Sequence, residues 1–268
     1  MRSELFALDR FTDDVVNTAY KEALDALSDK TSDERKAYAD KQRNEALERG
    51  PLLNAACTYL VLAQADVTPE KLYHFSANAF RDLGLLQRAA ECYFNSALVG
   101  YQQYTQNRSA NAGFARRSAG RAKAMFSELG DDKNSDDSHI LQQRIRFAEL
   151  KRKKQWPLAT VFWLWDRVSQ FGTSASRWLA STLSVILLFA VAYPVLIRYG
   201  YFVAEEKIHR TGLALVTSSL AFSLGNLFQF GTLDTLVPAT AVGQLVAITH
   251  GIVAFVLVGT GATFLTRR

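Results

Sequence analysis

Between Trp178 and Ile197 the chain runs for twenty residues without a charged side chain, and Arg177 and Arg198 stand immediately on either side. A helix rises about 1.5 Å per residue, so a run of this length matches the roughly 30 Å of hydrocarbon in a bilayer. Lipid cannot hydrogen-bond a main chain, so the segment must satisfy its own polar groups, which a helix does. Pro194 lies near the far end of the run, where a lost helical hydrogen bond costs least. The rest of the sequence has to be arranged around one membrane crossing.

The run divides two halves of opposite character. Up to Lys154 the sequence is rich in Lys, Arg, Glu, Asp, Ala and Gln; beyond Gly172 charged residues nearly vanish. The net charge of +5 forms no long basic stripe, which argues against nucleic acid as a partner. Its clearest cluster, Lys151-Arg152-Lys153-Lys154, precedes the apolar region and reads as a mark of the cytoplasmic side. Trp156, Phe162, Trp163, Trp165 and Phe171 follow, beside Asp166 and Arg167. Aromatic rings gather at the membrane–water boundary, so 155–176 is expected to lie as an interfacial helix on the inner surface. The other reading is a last soluble helix with its tryptophans in a core.

After Ile197 a short polar loop, Glu205 to Arg210, leads to a second uncharged stretch, Thr211 to Leu233. This one carries Thr217, Ser218, Ser219, Ser223, Gly225, Asn226 and Gln229, and ends in Gly231-Thr232-Leu233-Asp234 ahead of Pro238. A third apolar run, Ala239 to Leu265, is again long enough to span and closes on Arg267-Arg268. Basic clusters at both ends of the membrane half place both termini in the cytoplasm and require an even number of crossings. The polar stretch between the two long runs is therefore expected to enter the bilayer and return to the same face. The chain is expected in the cell (inner) membrane.

The N-terminal half reads as helices throughout. Val15, Val16, Ala19, Ala23 and Leu27 recur at helical spacing over Thr12 to Ser28, with Thr12 or Asp13 as cap. Polar Ser32 to Arg49 ends at Gly50-Pro51, Leu52 to Gln64 follows, and Thr68-Pro69-Glu70 opens the next helix. Ala112 to Leu129 and Ser138 to Leu150 continue the alternation around Gly130-Asp131-Asp132. Arg116, Arg117, Arg121 and Lys123 are read as a solvated helix face, and Cys57 and Cys92 as small buried thiols. No metal-ligand spacing, phosphate loop or nucleophile–base pair occurs, so neither catalytic residue nor cofactor is expected.

Two resemblances sharpen this. Tyr73, Ala77, Phe80, Gly84, Ala89 and Tyr93 resemble the tetratricopeptide helix pair, with Tyr73 for the consensus tryptophan and a departure near Ser96. The implied fold for 1–154 is a cytoplasmic α-solenoid of six or seven helices that serves as a protein-binding or assembly surface; the other reading is a helical domain with no ligand groove. The membrane half resembles the two-helix pore module of the potassium-channel superfamily. Phe222-Ser223 matches the start of its pore helix. Phe228, Gln229, Phe230, Gly231, Thr232, Leu233 and Asp234 fall on its filter, and Val237-Pro238 and Gly243 to Ala247 on the turn and inner-helix start.

The resemblance implies an all-α chain: an outer helix (178–198), a re-entrant pore helix and filter-like segment (211–238) and an inner helix (239–266), assembled as a homotetramer that passes monovalent cations. Only the first filter glycine and the aspartate are kept. Leu233 stands where the second glycine belongs, and side chains resist the left-handed backbone that aims filter carbonyls inward. High potassium selectivity is therefore not expected. Asp234 either favours cations at the mouth by its field or hydrogen-bonds behind the filter. His250 either bonds a neighbouring helix or senses pH, and Gly251, Gly259 and Gly261 offer small faces for helix packing. The expected function is a poorly selective cation pore, gated or assembled by the helical domain. The alternatives are a non-conducting membrane-anchored scaffold and a membrane-depolarising stress or defence effector.

Overall fold

The computed structural model describes residues 6, 14–31, 33–35, 37–38, 41, 52–64, 69–106, 111–204, 213–228 and 236–265. The protein is mostly helical and divides into two compact units, Met1–Ala159 and Thr160–Arg268. The division falls inside a helix, a few residues beyond the basic cluster where the sequence placed it.

The first unit contains α1 (Asp14–Ser28), α2 (Leu52–Gln64), α3 (Pro69–Asp82), α4 (Leu86–Gln106), α5 (Ala112–Glu128) and α6 (Asp132–Arg152). Each packs on its neighbours in the chain. Contacts between successive helices run in opposite senses: Ser76 meets Cys92 while Ser96 meets Glu70. Likewise Lys123 meets Ser135 while Arg116 meets Glu149. Tyr73, Ala77, Phe80, Ala89 and Tyr93 are all buried in the α3–α4 pair, and Gly84 takes the left-handed turn between them at φ +76°. Helix α4 is buried on every side from Ala89 to Gly100. Gly100 is required by proximity, since a side chain there would meet Ala115 Cβ at 2.9 Å.

Helix α6 begins at Asp132, six residues ahead of the predicted Ser138. Its first turns hold no apolar residue for a periodicity to reveal, but Asp131 caps them by accepting from Asn134 N–H. The caps proposed for α1, Thr12 and Asp13, lie outside the described residues, as does most of Ser32 to Arg49.

Helix α7 (Trp156–Ser169) leads into the second unit, with Trp156, Leu158, Val161 and Trp163 exposed. Then come α8 (Ala175–Arg198), β1 (Phe202–Ala204), α9 (Leu213–Phe228), β2 (Leu236–Pro238) and α10 (Ala241–Leu265). Helices α8 and α10 are long and apolar enough to cross a membrane, and α9 is shorter. Ser174 caps α8 by accepting from Arg177 N–H. Between α7 and α8, Gln170, Phe171 and Gly172 adopt positive φ in succession, at 50°, 59° and 77°. Phe171 is held there by burial against Trp165, ring centroids 5.7 Å apart.

Two three-residue strands stand beside the helices of this all-α fold. They pair antiparallel with Phe202 opposite Pro238, Val203 opposite Val237 and Ala204 opposite Leu236.

Candidate functional site

The strand pair ties the chain leaving α8 to the chain entering α10. The main chain adds a clamp: Ala239 N–H donates to the Tyr201 carbonyl at 3.0 Å. Gly243, in the first turn of α10, lies so close to that carbonyl that no side chain fits. The C-terminal end of α8 and the N-terminal end of α10 therefore sit at one end of the unit.

Helix α9 starts at that end and runs back along α8. Leu215 lines a groove with Pro194, Ile197 and Phe202. Phe222 meets Tyr193 edge-on at 5.0 Å, and Ser223 Oγ donates to the Ile186 carbonyl at 3.4 Å. Residue numbers rise along α9 as they fall along α8, so the two are antiparallel. Further on, Leu224 packs against Ile186, Ala254 and Leu257. Ser219 and Ser223 of α9 are fully buried, and small residues let helices approach closely in an apolar medium. Ser219 returns its proton to its own helix, at the Leu215 carbonyl.

Asn226 and Phe228 belong to α9 by backbone, and Phe222-Ser223, expected at the start of the pore helix, lies past its middle. The register differs because the helix begins at Leu213, nine residues earlier. Gln229, Phe230, Gly231, Thr232, Leu233 and Asp234 lie outside the described residues. The segment joining Phe228 to Leu236 takes eight steps, at most about 27 Å of extended chain.

His250 is fully buried at the centre of the unit. Its Nδ1 lies 2.8 Å from Tyr193 Oη, and its ring stacks on Phe189 at 3.8 Å. Tyr193 lies on α8, so this contact joins α10 to a neighbouring helix. Among the described residues nothing lies within 4 Å of a Cβ added at Gly251 or Gly259, whereas Gly261 touches Trp178. Trp178 Nε1–H in turn donates to the Leu257 carbonyl at 2.8 Å, which latches α8 to α10 at the Arg177 end.

The helical unit holds a polar chain that sequence reading missed, because its members lie far apart along the chain. Arg121 Nη1 lies 2.9 Å from His74 Nε2, His74 Nδ1 3.0 Å from Ser118 Oγ, and Ser118 Oγ 3.2 Å from Ser96 Oγ. Ser96 Oγ lies 2.6 Å from the Glu70 carbonyl, which can only accept, so its one proton goes there. The other protons follow in sequence. Ser118 donates to Ser96, His74 donates from Nδ1 to Ser118, and Arg121 donates to an unprotonated Nε2. The imidazole must be neutral, since a second ring proton would face the guanidinium. Burial, and after it Arg121, Arg117 and Arg81, hold its pKa down at about 4.

The basic face of α5 is exposed as expected at Arg116, Arg117 and Arg121, yet it is not merely solvated. Arg116 pairs with Glu149 at 3.2 Å, and Lys123 Nζ lies 3.4 Å from His139 Nδ1. Burial pushes the thiols of Cys57 and Cys92 up to about 12. Among the described residues, no group of three or more His, Cys, Asp or Glu could hold a metal ion. Comparison with protein-family models, curated proteins and solved structures found no match.

Proposed function

We propose that this chain is the protomer of an oligomeric, channel-like membrane protein, a poorly selective cation pore whose helical domain drives assembly or biases opening. The pairing of β1 with β2 is the observation that carries this reading. If α8 crosses the bilayer, Ala204 and Leu236 emerge on one face, because they are hydrogen-bonded neighbours. The chain between them then begins and ends on that face, as the proposed re-entrant segment does. Helix α9 supplies the descent, about 24 Å for its 16 residues. The return falls, on this reading, to residues that lie outside the described ones, with eight steps of chain between Phe228 and Leu236.

A re-entrant segment does not enclose a path by itself, so several copies, most simply four, surround a common axis. The return segment contains Gly231 and Asp234, the two filter positions kept in the resemblance to potassium channels. A ring of Asp234 carboxylates would raise the local cation concentration, while Leu233 in place of a glycine removes the geometry for stripping potassium of water.

Purified protein in planar bilayers tests this. Currents with similar permeability to potassium and sodium are expected, and Asp234→Lys should lower cation conductance several-fold. Silent bilayers across all conditions, with protein shown to be inserted, would leave the scaffold reading. Strong preference for potassium would contradict the reading of the filter.

A further inference from the structure

The helical unit carries a second candidate site, independent of any pore, on the seam where α3 meets α5. His74, Asn78 and Arg81 recur at helical spacing along α3, as Phe114, Arg117, Ser118 and Arg121 do along α5. The two rows touch: the His74 ring lies 4.8 Å from that of Phe114, and His74 Nδ1 lies 3.0 Å from Ser118 Oγ. Three guanidiniums therefore gather at one place, and Arg121, Arg117 and Arg81 all act on the His74 imidazole.

Their charge is poorly balanced. Arg81 pairs with Asp82 at 2.8 Å. Arg121 is held by neutral groups instead: Nη1 donates to His74 Nε2 and, at 3.4 Å, to Asn78 Oδ1, and the guanidinium carbon lies 5.5 Å from the Tyr93 ring centroid. Ser118, Ser96 and the Glu70 carbonyl fix the imidazole as a neutral acceptor, so His74 anchors Arg121 without adding a charge of its own. Among the described residues, no carboxylate forms an ion pair with Arg117 or Arg121. Three arginines less one aspartate leave a charge of about +2 at the seam. Asn78 Oδ1 already accepts from Tyr93 Oη–H and Arg121, so its amide presents Nδ2–H donors to a ligand. With Arg121 Nη2 and the Arg117 guanidinium, these form a preplaced donor set with its charge unspent.

A carboxylate offers one negative charge and two oxygens. A phosphate monoester carries about −1.5 to −2 and three acceptor oxygens, which matches both the charge and the donors. The arginines are exposed, so a free metabolite here would stay largely in water, unlike the ligands of enclosed pockets. A phosphate carried on a chain needs only the anion site and an apolar neighbour, and half-buried Phe114 supplies the second. We propose that the α3–α5 seam binds a phosphorylated side chain of a partner protein segment, with Arg117, Arg121 and the Asn78 amide taking its phosphate oxygens.

The test is fluorescence anisotropy of a rhodamine-labelled peptide, glycine-alanine-phosphoserine-alanine-glycine, on the full chain in detergent at fixed ionic strength. Saturable binding is expected, and the unphosphorylated peptide should bind about tenfold more weakly or not at all. Arg117→Gln and Arg121→Gln should each weaken binding about fivefold, whereas Arg116→Gln, on the same helix but paired with Glu149, should leave it within about twofold. Arg117 has no hydrogen-bond partner among the described residues, so Arg117→Gln should keep the wild-type melt and decides the matter if Arg121→Gln does not. Equal binding of the two peptides, or binding indifferent to Arg117→Gln in folded protein, would overturn the proposal. So would an equal loss in Arg116→Gln, which would mark unspecific charge attraction. Inorganic phosphate competing as well as the unlabelled phosphopeptide would assign the site to the free anion and overturn the partner assignment.

Discussion

A methyl group added at Gly261 would meet the Trp178 indole at 2.7 Å, on the same ring whose nitrogen donates to the Leu257 carbonyl. Small-to-large changes in packed sites cost about 1–3 kcal/mol, so Gly261→Ala should lower the melting temperature in detergent and shift tryptophan emission as the indole is displaced. Gly259→Ala is the matched control. Among the described residues nothing lies within 4 Å of its added Cβ, so the isolated protomer should tolerate it. His74 offers a prediction of another kind. Its folded pKa of about 4 lies below the ordinary 6.5, so between those values the unfolded chain binds more protons than the folded one. Stability should fall as pH drops from about 6.5 toward 4 and change little from this source above that range. His74→Gln, which keeps a donor and an acceptor for Ser118 and Arg121, should flatten the slope of melting temperature against pH over that window. An unchanged slope would remove His74 from the account.

At the scale of elements, the helices were legible because each long apolar face repeats at helical spacing, as Val16, Ala19, Ala23 and Leu27 do on α1. The strands were not. Three residues are too few for an alternating pattern, and Phe202 finds its partner Pro238 only after the intervening chain has turned back. The polar chain through Glu70, His74, Ser96, Ser118 and Arg121 was hidden for the same reason, since three helices contribute to it. Phe222-Ser223 was legible as a helix motif but not its place, because nothing in the uncharged run marks Leu213 as the helix start. The joint between α7 and α8 was also invisible. Non-glycine residues in the left-handed region cost about 1–2 kcal/mol, a cost Gln170 and Phe171 both bear. Gln170→Gly should therefore stabilise the chain by up to about 1 kcal/mol after the added backbone entropy of glycine, measured as a rise in midpoint denaturant concentration. A loss of stability would show that Gln170 contributes contacts that outweigh the strain.

For the whole molecule, the decisive fact is that two long apolar helices are joined by a pair of strands at one end, with a shorter helix folded back between them. The two long helices were legible in the sequence as the uncharged runs from Trp178 to Ile197 and from Ala239 to Leu265. Exposed Leu187, Leu188 and Val191 on α8 and Ile248, Ile252 and Phe255 on α10 leave apolar faces for lipid or for further copies of the 29.9 kDa chain. The central claim is topological and can be read directly with a membrane-impermeant maleimide on intact spheroplasts. Cys57 and Cys92 give little background, because they are buried and their thiols stay protonated. Cysteines placed at Arg210 and Ala239 should both label from outside, and one placed at Lys154 only after permeabilisation. Labelling of Arg210→Cys and Ala239→Cys from opposite faces would make the middle stretch an ordinary crossing and contradict the account.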